Sequence, residues 1–523
     1  MNTSIPTGAE PMGPPLQGVP ATSESPPDFP QTLGHPRPLW MLFMSEFWER
    51  FAFYGIRWAM VLYVVAQFHG GAASGEKPAS ELYGAYLALV YAGAIFGGYV
   101  ADKLIGFQRS ILLGAAVMAA GLFLLASPGE AMFKLGLATI IVGNGLFKPI
   151  ISTLVGKLYA QGDVRRDSGF TIFYMGINLG ALVAPLITQY LAKKIFGIED
   201  TPAYKIVFIS AGVGMLLSLV WFWFGRRQLK GIGLPAAHQT GLRNVSLVLL
   251  LGVILGVPLF YALLTINASL LQYILMALFI VPAVMLFREG AVEGKVSRDK
   301  VSAMLIIFVF NVLFWMFFEQ AGSSFNFLAE KIVNRDIGFV GLFQALAGTN
   351  DFPVSWFQSV NSVAIIVLAP IMAWMWIRMG RNNPIIPRKF GLGLIFNGLA
   401  FLLLMVALSS MVDANGKIPF WTLFMVYVIQ SVGELCLSPI GLSMTTKLAP
   451  ARLGGLAMGC WFLSIAIGNN LAGIFAGIVS GTEGMSVASA HSGYTFGFAA
   501  LVGSGIVLFL IAPLINRLMH GVK

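Results

Sequence analysis

Long apolar stretches dominate this sequence of 523 residues and limit what it can fold into. A helix needs about 20 mainly apolar residues to cross the hydrocarbon core of a bilayer. We count about fourteen such stretches, grouped as six, two and six. Only 11% of the residues are charged and 57% are hydrophobic, whereas soluble proteins carry about 25% charged residues. The sequence therefore predicts an all-α, polytopic membrane protein.

The expected spans have the following limits. The first six cover residues 38–68, 80–102, 108–127, 131–158, 168–195 and 204–225. A middle pair covers 245–262 and 267–288, and the last six cover 299–324, 355–378, 387–411, 419–447, 452–480 and 493–518. We divide the chain into a disordered cytoplasmic tail (1–36), a six-helix bundle (37–230), an inserted two-helix hairpin (231–296) and a second six-helix bundle (297–523). The tail assignment rests on a Pro-, Ser-, Thr- and Gly-rich composition, which is typical of disorder.

Basic residues in the connections predict the orientation in the membrane. With the N-terminus in the cytoplasm, about 22 of the 33 Lys and Arg residues fall on the cytoplasmic side and about 8 on the opposite side. Cytoplasmic loops of membrane proteins carry such an excess of positive charge. We therefore expect both termini in the cytoplasm, and we attribute the net charge of +10 to this asymmetry rather than to nucleic-acid binding.

The first expected span carries four charges inside an apolar segment. Residues 45–57 read Ser-Glu-Phe-Trp-Glu-Arg-Phe-Ala-Phe-Tyr-Gly-Ile-Arg. At about 100° per residue, Glu46, Arg50 and Arg57 share one helical face, with Glu49 and Tyr54 on its flanks. A charge at the bilayer centre costs about 3 kcal/mol on insertion scales. This face must therefore border a wet, protein-lined cavity that holds charges of opposite sign.

Other expected spans supply polar residues that could meet this face. These residues are Lys148, Tyr174, Asn178, Trp315, Glu319 and Glu434. With the first span they make four acids and three bases, and seven bare charges would cost on the order of 20 kcal/mol. Static ion pairs that only fix helix packing are one explanation, but buried pairs are weak stabilisers and apolar packing would serve as well. Acids in a membrane cavity can instead take up and release protons and so drive the accumulation of a solute.

Aromatic side chains are candidates for the cavity walls, although each one alone is more typical of helix packing or of the membrane interface. The candidates are Tyr54, Tyr91, Tyr174, Trp315 and Trp461. Both signs of charge with aromatic walls would suit a zwitterion with variable side chains, whose carboxylate meets Arg and Lys and whose ammonium meets Glu and Asn. A six-plus-six layout is typical of two-halved secondary transporters, which bind substrate between the halves near the bilayer midplane.

The remaining reactive residues do not favour an enzyme. The five histidines lie in the tail, loops or termini without metal-ligand spacing, and no nucleophile with a nearby base emerges. Cys436 and Cys460 lie inside apolar stretches and lack the spacing of a zinc site. A passive channel is disfavoured by the opposite charges expected to close the path. We therefore predict a transporter that uses no cofactor and has protons as its coupling ion.

Four separated motifs resemble those of the proton-dependent oligopeptide transporter (POT/PTR2) family of the major facilitator superfamily. Residues 45–57 resemble the family's Glu-x-x-Glu-Arg-Phe-x-x-Tyr-Gly pattern, and 97–106 resemble its second-helix signature. Residues 170–182 and 434–441 are similar to its fifth-helix and tenth-helix signatures. Phe53 stands where tyrosine is frequent, and Ser110 departs slightly from the second-helix signature. The inserted hairpin is typical of prokaryotic members, which implies a bacterial inner (plasma) membrane.

The resemblance implies a major facilitator fold of 6+2+6 helices and a proton-coupled symporter that imports di- and tripeptides by alternating access. The implied proton-coupling residues are Glu46, Glu49, Arg50 and Glu319. The implied substrate-binding residues are Arg57 and Lys148 for the carboxylate, Asn178, Asn361 and Glu434 for the ammonium, and Tyr54, Tyr91, Tyr174, Trp315 and Trp461 for the pocket. Two gate pairs are implied, Arg57 with Glu319 on the outer side and Lys148 with Glu434 on the inner side.

The expected partners are a small peptide, protons and the lipid bilayer, without nucleic acid, and the chain is expected to act as a monomer. An alternative within the same fold is a proton-coupled transporter of a non-peptide anion or a drug-like solute. The intact Glu-Arg motif and Glu434 favour peptides, because a monoanion needs no site for an ammonium group.

Overall fold

The computed structural model describes residues 26–522 except 161–162, 164, 199–201, 236–240 and 451. For residues 96, 98, 99, 102, 242 and 243 it describes the backbone but not the side chain. Seventeen α-helices, several short 3₁₀ and π-helical segments and one short hairpin of two strands make up the regular structure of these residues. The all-α prediction is confirmed, since the strands comprise only two residues each.

The first bundle contains six helices. They are α1 (Arg37–Phe68), α2 (Glu76–Val100), α3 (Phe107–Leu125), α4 (Glu130–Lys157), α5 (Arg166–Gln189) and α6 (Tyr204–Gly225). A π-helical turn extends α2 through Ala101–Ile105, and another extends α5 through Tyr190–Ile195. α1 packs against α5 and α6, while α4 packs against α2 and α3. Small residues bring these helices close, and a Cβ on Gly143 would lie 2.7 Å from the carbonyl oxygen of Gly114.

The inserted hairpin lies against both bundles. α7 (Leu242–Leu251) continues through a π-helical segment, Gly252–Gly256, into α8 (Val257–Thr265), and α9 (Ala268–Glu293) returns. Asn267 caps α9, because its side-chain oxygen accepts a hydrogen bond of 2.8 Å from the backbone N–H of Ser269. α8 packs on α4, whereas α9 packs on α10 and α16 of the second bundle.

The second bundle contains six long helices and two short ones. They are α10 (Lys295–Phe318), α11 (Ser324–Lys331), α12 (Val340–Leu346), α13 (Trp356–Met379), α14 (Ile386–Ser410), α15 (Phe420–Leu448), α16 (Gly454–Ser480) and α17 (Val487–Leu518). The predicted continuous helix 299–324 is wrong at its end. A 3₁₀ turn, Glu319–Gly322, and the irregular residue Ser323 separate α10 from α11. A Cβ on Gly322 would overlap the hydroxyl of Tyr83, so the break lies where another helix approaches this backbone.

The helices fit a chain that crosses a membrane many times. Thirteen of them, counted within the described residues and with short extensions included, are long and apolar enough to span a bilayer. α2 adds a further helix of 25 residues between α4 and α16. The predicted 6+2+6 arrangement is thereby confirmed. Large apolar side chains such as Phe224, Ile377 and Leu510 face outward from the helices, as lipid contact requires.

Residues 26–36 differ from the expected disordered tail. Strands β1 (Gln31–Thr32) and β2 (His35–Pro36) pair in antiparallel fashion directly before α1. His35 Nδ1 lies 2.8 Å from the hydroxyl of Tyr159 after α4, and Phe29 is buried. The contact with Tyr159 and the burial of Phe29 hold the segment, and its composition gives no sign of either. Residues 1–25 of the predicted tail lie outside the described residues.

The two bundles touch mainly on one side of the molecule. There α2 crosses α16 so closely that a Cβ on Gly84 would lie 2.6 Å from the Cα of Gly473. On the same side Ser359 of α13 donates to the carbonyl oxygen of Leu182 of α5, at 2.9 Å. This side lies opposite the two chain ends. The structure is therefore closed at the side away from the termini.

The side of the termini is open between the bundles. Toward this side Thr153 of α4 and Ser443 of α15 are exposed, although both lie in helices that span the membrane. Tyr174, eight residues into α5 from the same side, is 37% exposed. Exposed polar side chains within spanning helices indicate a water-filled opening rather than lipid contact.

Candidate functional site

The residues of α1 form a buried acid–base cluster at the centre of the first bundle. Glu46, Glu49 and Arg50 are all buried. Arg50 Nε contacts Glu46 Oε1 at 3.1 Å and also contacts Glu49 Oε2, while Arg50 Nη2 donates to Glu49 Oε1 at 2.6 Å. Asn144 of α4 donates to the same oxygen of Glu49 at 3.4 Å. One guanidinium thus serves two carboxylates, so the cluster has one negative charge in excess when both are ionised.

Glu46 holds the oxygen of this cluster that is best placed to take a proton. Its Oε2 is buried and has no hydrogen-bond partner among the described residues. An unpaired carboxylate oxygen in a buried site is costly, and a proton on it removes the excess charge. The guanidinium of Arg50 also makes a cation–π contact with Phe53, whose ring centroid lies 5.1 Å away.

Arg57 joins the two bundles. It lies two turns after Arg50 on α1, and its Nη2 donates to Glu319 Oε2 of the second bundle at 2.6 Å. Its Nε donates to the hydroxyl of Tyr83 on α2 at 2.8 Å, and the ring of Tyr54 lies 5.6 Å from its guanidinium carbon. The 3₁₀ turn that begins at Glu319 directs this carboxylate toward α1. The structure therefore brings together the pair predicted for the outer gate.

Lys148 and Glu434 are not paired in this structure. Lys148 Nζ lies 4.1 Å from the ring centroid of Tyr91 and 6.0 Å from that of Phe53. Within the described part of the chain, no carboxylate lies within 4.0 Å of this ammonium. Glu434 Oε2 accepts a hydrogen bond of 3.1 Å from Asn361 Nδ2. Since the side of the termini is open, an inner gate pair between these two residues would have to form in another state.

The predicted pocket residues differ in their surroundings. Tyr174 is exposed to the opening, and its carbonyl oxygen accepts a hydrogen bond of 3.0 Å from Asn178 Nδ2. Trp315 lies in α10, one turn before Glu319, and its Nε1 donates to Asn311 Oδ1 at 3.1 Å. Tyr91 of α2 reaches toward the second bundle, where the ring of Phe462 lies 6.5 Å away. These residues surround the space between the charged groups.

Trp461 is placed differently from the prediction. Only 2% of it is exposed, and its ring packs edge-on against Phe308 and Phe390 inside the second bundle. A Cβ on Gly441 would overlap this ring, so the glycine makes the space for the indole. In this structure Trp461 is a packing residue behind the cavity wall.

The sequence-based reasoning missed the neutral partners of the charges. Tyr83 binds Arg57 and Asn144 binds Glu49. Ser431 accepts a hydrogen bond of 2.9 Å from Asn361, next to Glu434. Asn144 stands four residues before Lys148, and this spacing places both on one helical face, so it was the one partner with a sequence signal. The predicted roles of all these residues stay predictions, because contacts alone do not assign a function.

The prediction that the protein uses no cofactor stays open as well. Among the described residues no group of three or more His, Cys, Asp or Glu side chains could hold a metal ion. The expectation that protons are the only coupling ion therefore stays a prediction. The side chain of Asp102, in the second-helix signature, lies outside the described residues.

Comparisons with known proteins agree on one family. The POT family profile matches residues 108–491. A peptide transporter of Yersinia enterocolitica, YePEPT, is 34% identical over 527 residues, which cover 96% of this chain and 99% of that protein. A di-/tripeptide transporter of Lactococcus lactis subsp. cremoris is 33% identical over 512 residues, covering 94% of this chain and 98% of that protein.

Solved structures give the same result for the fold. The crystal structure of a peptide transporter POT in complex with sulfate matches with a TM-score of 0.80 at 33% identity, covering 95% of this chain and 99% of that chain. A POT family transporter in complex with a thioalcohol-conjugated peptide matches with a TM-score of 0.77 at 28% identity, covering 93% and 99%. The predicted family resemblance is confirmed over nearly the whole chain.

Proposed function

The chain belongs to the POT family, and we propose that it imports di- and tripeptides through the membrane by coupling their uptake to protons. The observation that carries this proposal is the Arg57–Glu319 ion pair of 2.6 Å, which joins the two bundles on one side of a cavity that is open on the other. A carboxylate in this pair can be protonated, and the arginine that it releases can bind an anionic group. Protonation, substrate binding and the opening of the outer side thus all depend on this one ion pair.

The cavity offers separate positions for the two ends of a peptide. Lys148 is held by aromatic faces rather than by a carboxylate, so its charge is available to the carboxylate of a substrate, together with Arg57. Glu434, with Asn361 and Asn178, provides acceptors for the ammonium group. Tyr54, Tyr174 and the other aromatic residues accept side chains of different shape, since flat apolar surfaces discriminate weakly.

The transport cycle follows from the two gate pairs. Protonation of Glu319 releases Arg57 and allows the outer side to open, and a peptide carboxylate then engages Arg57 and Lys148. An ion pair between Lys148 and Glu434 shuts the inner side in that state. The cluster of Glu46, Glu49 and Arg50 provides a second place for a proton. A bound peptide that competes for Lys148 and Glu434 loosens the inner pair and favours opening toward the cytoplasm.

The multi-pass architecture places the protein in a membrane. We propose the bacterial inner membrane, with both termini in the cytoplasm, because the basic residues lie mainly on the side of the termini. We further propose that the monomer is the transporting unit and that protons are its only coupling ion. The first proposal is supported by a cavity that lies entirely within one chain, and the second by the carboxylates of Glu46, Glu49 and Glu319, each of which can take up a proton.

Uptake by the purified protein in lipid vesicles tests this function. Under an imposed proton gradient, acid outside, labelled Ala-Ala should accumulate above its external concentration, and unlabelled di- and tripeptides should compete. Acetylation of the N-terminus or amidation of the C-terminus should weaken the competition, since each change removes one of the two charges. Competition by anionic or drug-like solutes without any competition by small peptides would contradict the proposal and support the alternative substrate class.

A further inference from the structure

Glu76, the first residue of α2, is buried although it lies at the outer end of its helix. Only 1% of it is exposed. Its two carboxylate oxygens have different partners. Oε1 accepts a hydrogen bond from Lys331 Nζ, and Oε2 accepts one of 2.8 Å from the backbone N–H of Met485. A buried carboxylate with both oxygens satisfied is a built contact rather than a chance surface ion pair.

Both partners belong to the other bundle. Lys331 is the last residue of α11, which follows the 3₁₀ turn that carries Glu319, and Met485 lies in the connection between α16 and α17. One side chain of the first bundle therefore holds two separate segments of the second. These segments must part from α2 whenever the side away from the termini opens.

This contact is separate from the Arg57–Glu319 pair. Arg57 stands eleven residues before the end of α1 at Phe68, which is about 16 Å along a helix, and Glu76 follows that end. α2 and α16 cross at Gly84 and Gly473 close to the inner contact, since Gly84 directly follows Tyr83, the partner of Arg57. The outer closure thus has an inner ion pair, a close helix crossing and an outermost ion pair.

Water can reach the outermost pair from one direction. A cavity of about 310 Å³ lies beside it, lined among others by Gly71, Tyr204, Glu330 and Lys331. The side chain of Lys331 is 34% exposed, in contrast to that of Glu76. Lys331 can therefore leave Glu76 for water at modest cost, which suits a contact that must break and form again in each cycle.

We propose that Glu76 and Lys331 form an outer lock that sets the balance between the outward-open and inward-open states and contacts neither peptide nor transported proton. Glu76 is a positioning residue in this role, since it acts through the closure of α2 on α11 and the α16–α17 connection. The inference rests on the proposed function, because only a transporter that alternates needs this side to open.

Distance measurements between spin labels test the lock directly. Labels at Ala131→Cys and Ala414→Cys, both exposed and on the outer side of different bundles, report its opening in a background with Cys436 and Cys460 replaced by Ala. The unsubstituted lock should give mainly the short distance. Lys331→Met should raise the ratio of long to short distances by about tenfold, because it leaves the buried carboxylate of Glu76 without its ionic partner in the closed state. Glu76→Gln should raise the ratio as well, because it removes the charge that holds Lys331.

A charge exchange and a matched control separate the lock from general damage. The double variant Glu76→Lys with Lys331→Glu should recover part of the closed population, and only part, because the new lysine cannot accept the N–H of Met485. Asp351→Asn removes the partner of Arg335 in an ion pair of 3.9 Å that lies on the outer side within the second bundle alone, and it should change nothing. The double variant also provides the test if Glu76→Gln does not fold.

Transport kinetics provide a second readout. Lys331→Met should lower the apparent KM for external peptide severalfold, because a larger fraction of the protein is outward-open, and should leave the pH profile of uptake unchanged. The lock is refuted if both single variants match Asp351→Asn in distance, or if the charge exchange recovers no closed population. The spin-label distance measurements need no substrate. A failure to transport peptides would therefore refute the proposed function, and the measured distances would still decide whether the lock exists.

Discussion

At the scale of single residues, the cationic side chains of the site have different partners because they differ in shape. Arg50 and Arg57 each bind more than one group, and a planar guanidinium can donate in several directions at once. The ammonium of Lys148 lies against the rings of Tyr91 and Phe53, and a compact ammonium needs no fork of acceptors there. The two arginines are therefore each bound to several groups of the protein, whereas the contacts described for the lysine ammonium are with aromatic rings.

Glu319→Gln tests the proton carrier. The amide keeps the size of the side chain and a hydrogen bond to Arg57 but cannot exchange a proton or carry a charge. Uptake of labelled Ala-Ala against its gradient should fall by at least about tenfold under an imposed proton gradient, while exchange of labelled for unlabelled peptide across the membrane should persist. Both are measured with the same vesicles.

Glu130→Gln is the matched control for this prediction. Glu130 is the first residue of α4, and 52% of its side chain is exposed, so its substitution should leave uphill uptake intact. If the Glu319→Gln protein still accumulated the dipeptide above its external concentration, Glu319 would not be the essential carrier.

Lys148→Met tests the carboxylate site. A charge-assisted hydrogen bond contributes about 1.5–3 kcal/mol, so the concentration of dipeptide that half-inhibits uptake should rise by about tenfold or more. A dipeptide amide, which lacks the carboxylate, should compete equally with both proteins. Lys157→Met is the control, because Lys157 lies on the same helix but contacts the ring of Phe107 outside the cavity. An equal loss for the dipeptide and its amide would argue against Lys148 as the carboxylate ligand.

The charged part of the site could be predicted from sequence, because each intramembrane charge needs a partner and few were available. Which charges pair, as Arg57 does with Glu319, was implied by the family resemblance alone. The neutral partner Tyr83 could not be found in this way, since a tyrosine in an apolar helix is ordinary. Trp461 could not be placed either, because its position depends on the missing side chain of Gly441 on another helix.

At the scale of helices, the closure of the outer side depends on how near α2 can come to α16. A Cβ on Gly473 would lie 2.6 Å from the carbonyl oxygen of Ser80 and 2.8 Å from the Cα of Gly84. The backbones are thus in contact, as in other membrane helix pairs with small residues at the crossing. The sequence predicted both helices but not this crossing, because many other glycines lie in apolar helices as well.

Gly84→Ala should therefore disfavour the closed outer side. Overpacking of a close contact costs about 1–3 kcal/mol, which corresponds to about a fivefold or larger shift toward the open state. The spin-label distances at Ala131→Cys and Ala414→Cys measure this shift. Gly503→Ala in α17 has open space around the added methyl group and serves as the control. A closed population equal to that of the control would show that the crossing tolerates a methyl group.

At the scale of the whole molecule, the two bundles separate on one side and touch on the other. This arrangement corresponds to one state of an alternating-access transporter. The number of spans and their grouping could be predicted from apolar length alone, since the bilayer fixes that length. The state could not, because it depends on weak contacts between bundles that differ little in free energy. The docked segment 26–36 was missed for a similar reason, as its partner Tyr159 is distant in sequence.

Thiol labelling from either side of the membrane tests the orientation and the state together. Thr153→Cys lies in the opening on the side of the termini, and Ala131→Cys lies on the opposite side. A membrane-impermeant maleimide should react with Thr153→Cys in inside-out vesicles and with Ala131→Cys in right-side-out vesicles. The unsubstituted protein should stay unlabelled in both, because Cys436 and Cys460 are buried. Labelling of Thr153→Cys from the outside alone would reverse the proposed orientation, and protection of it from both sides would mean that the inward-open state is rarely occupied.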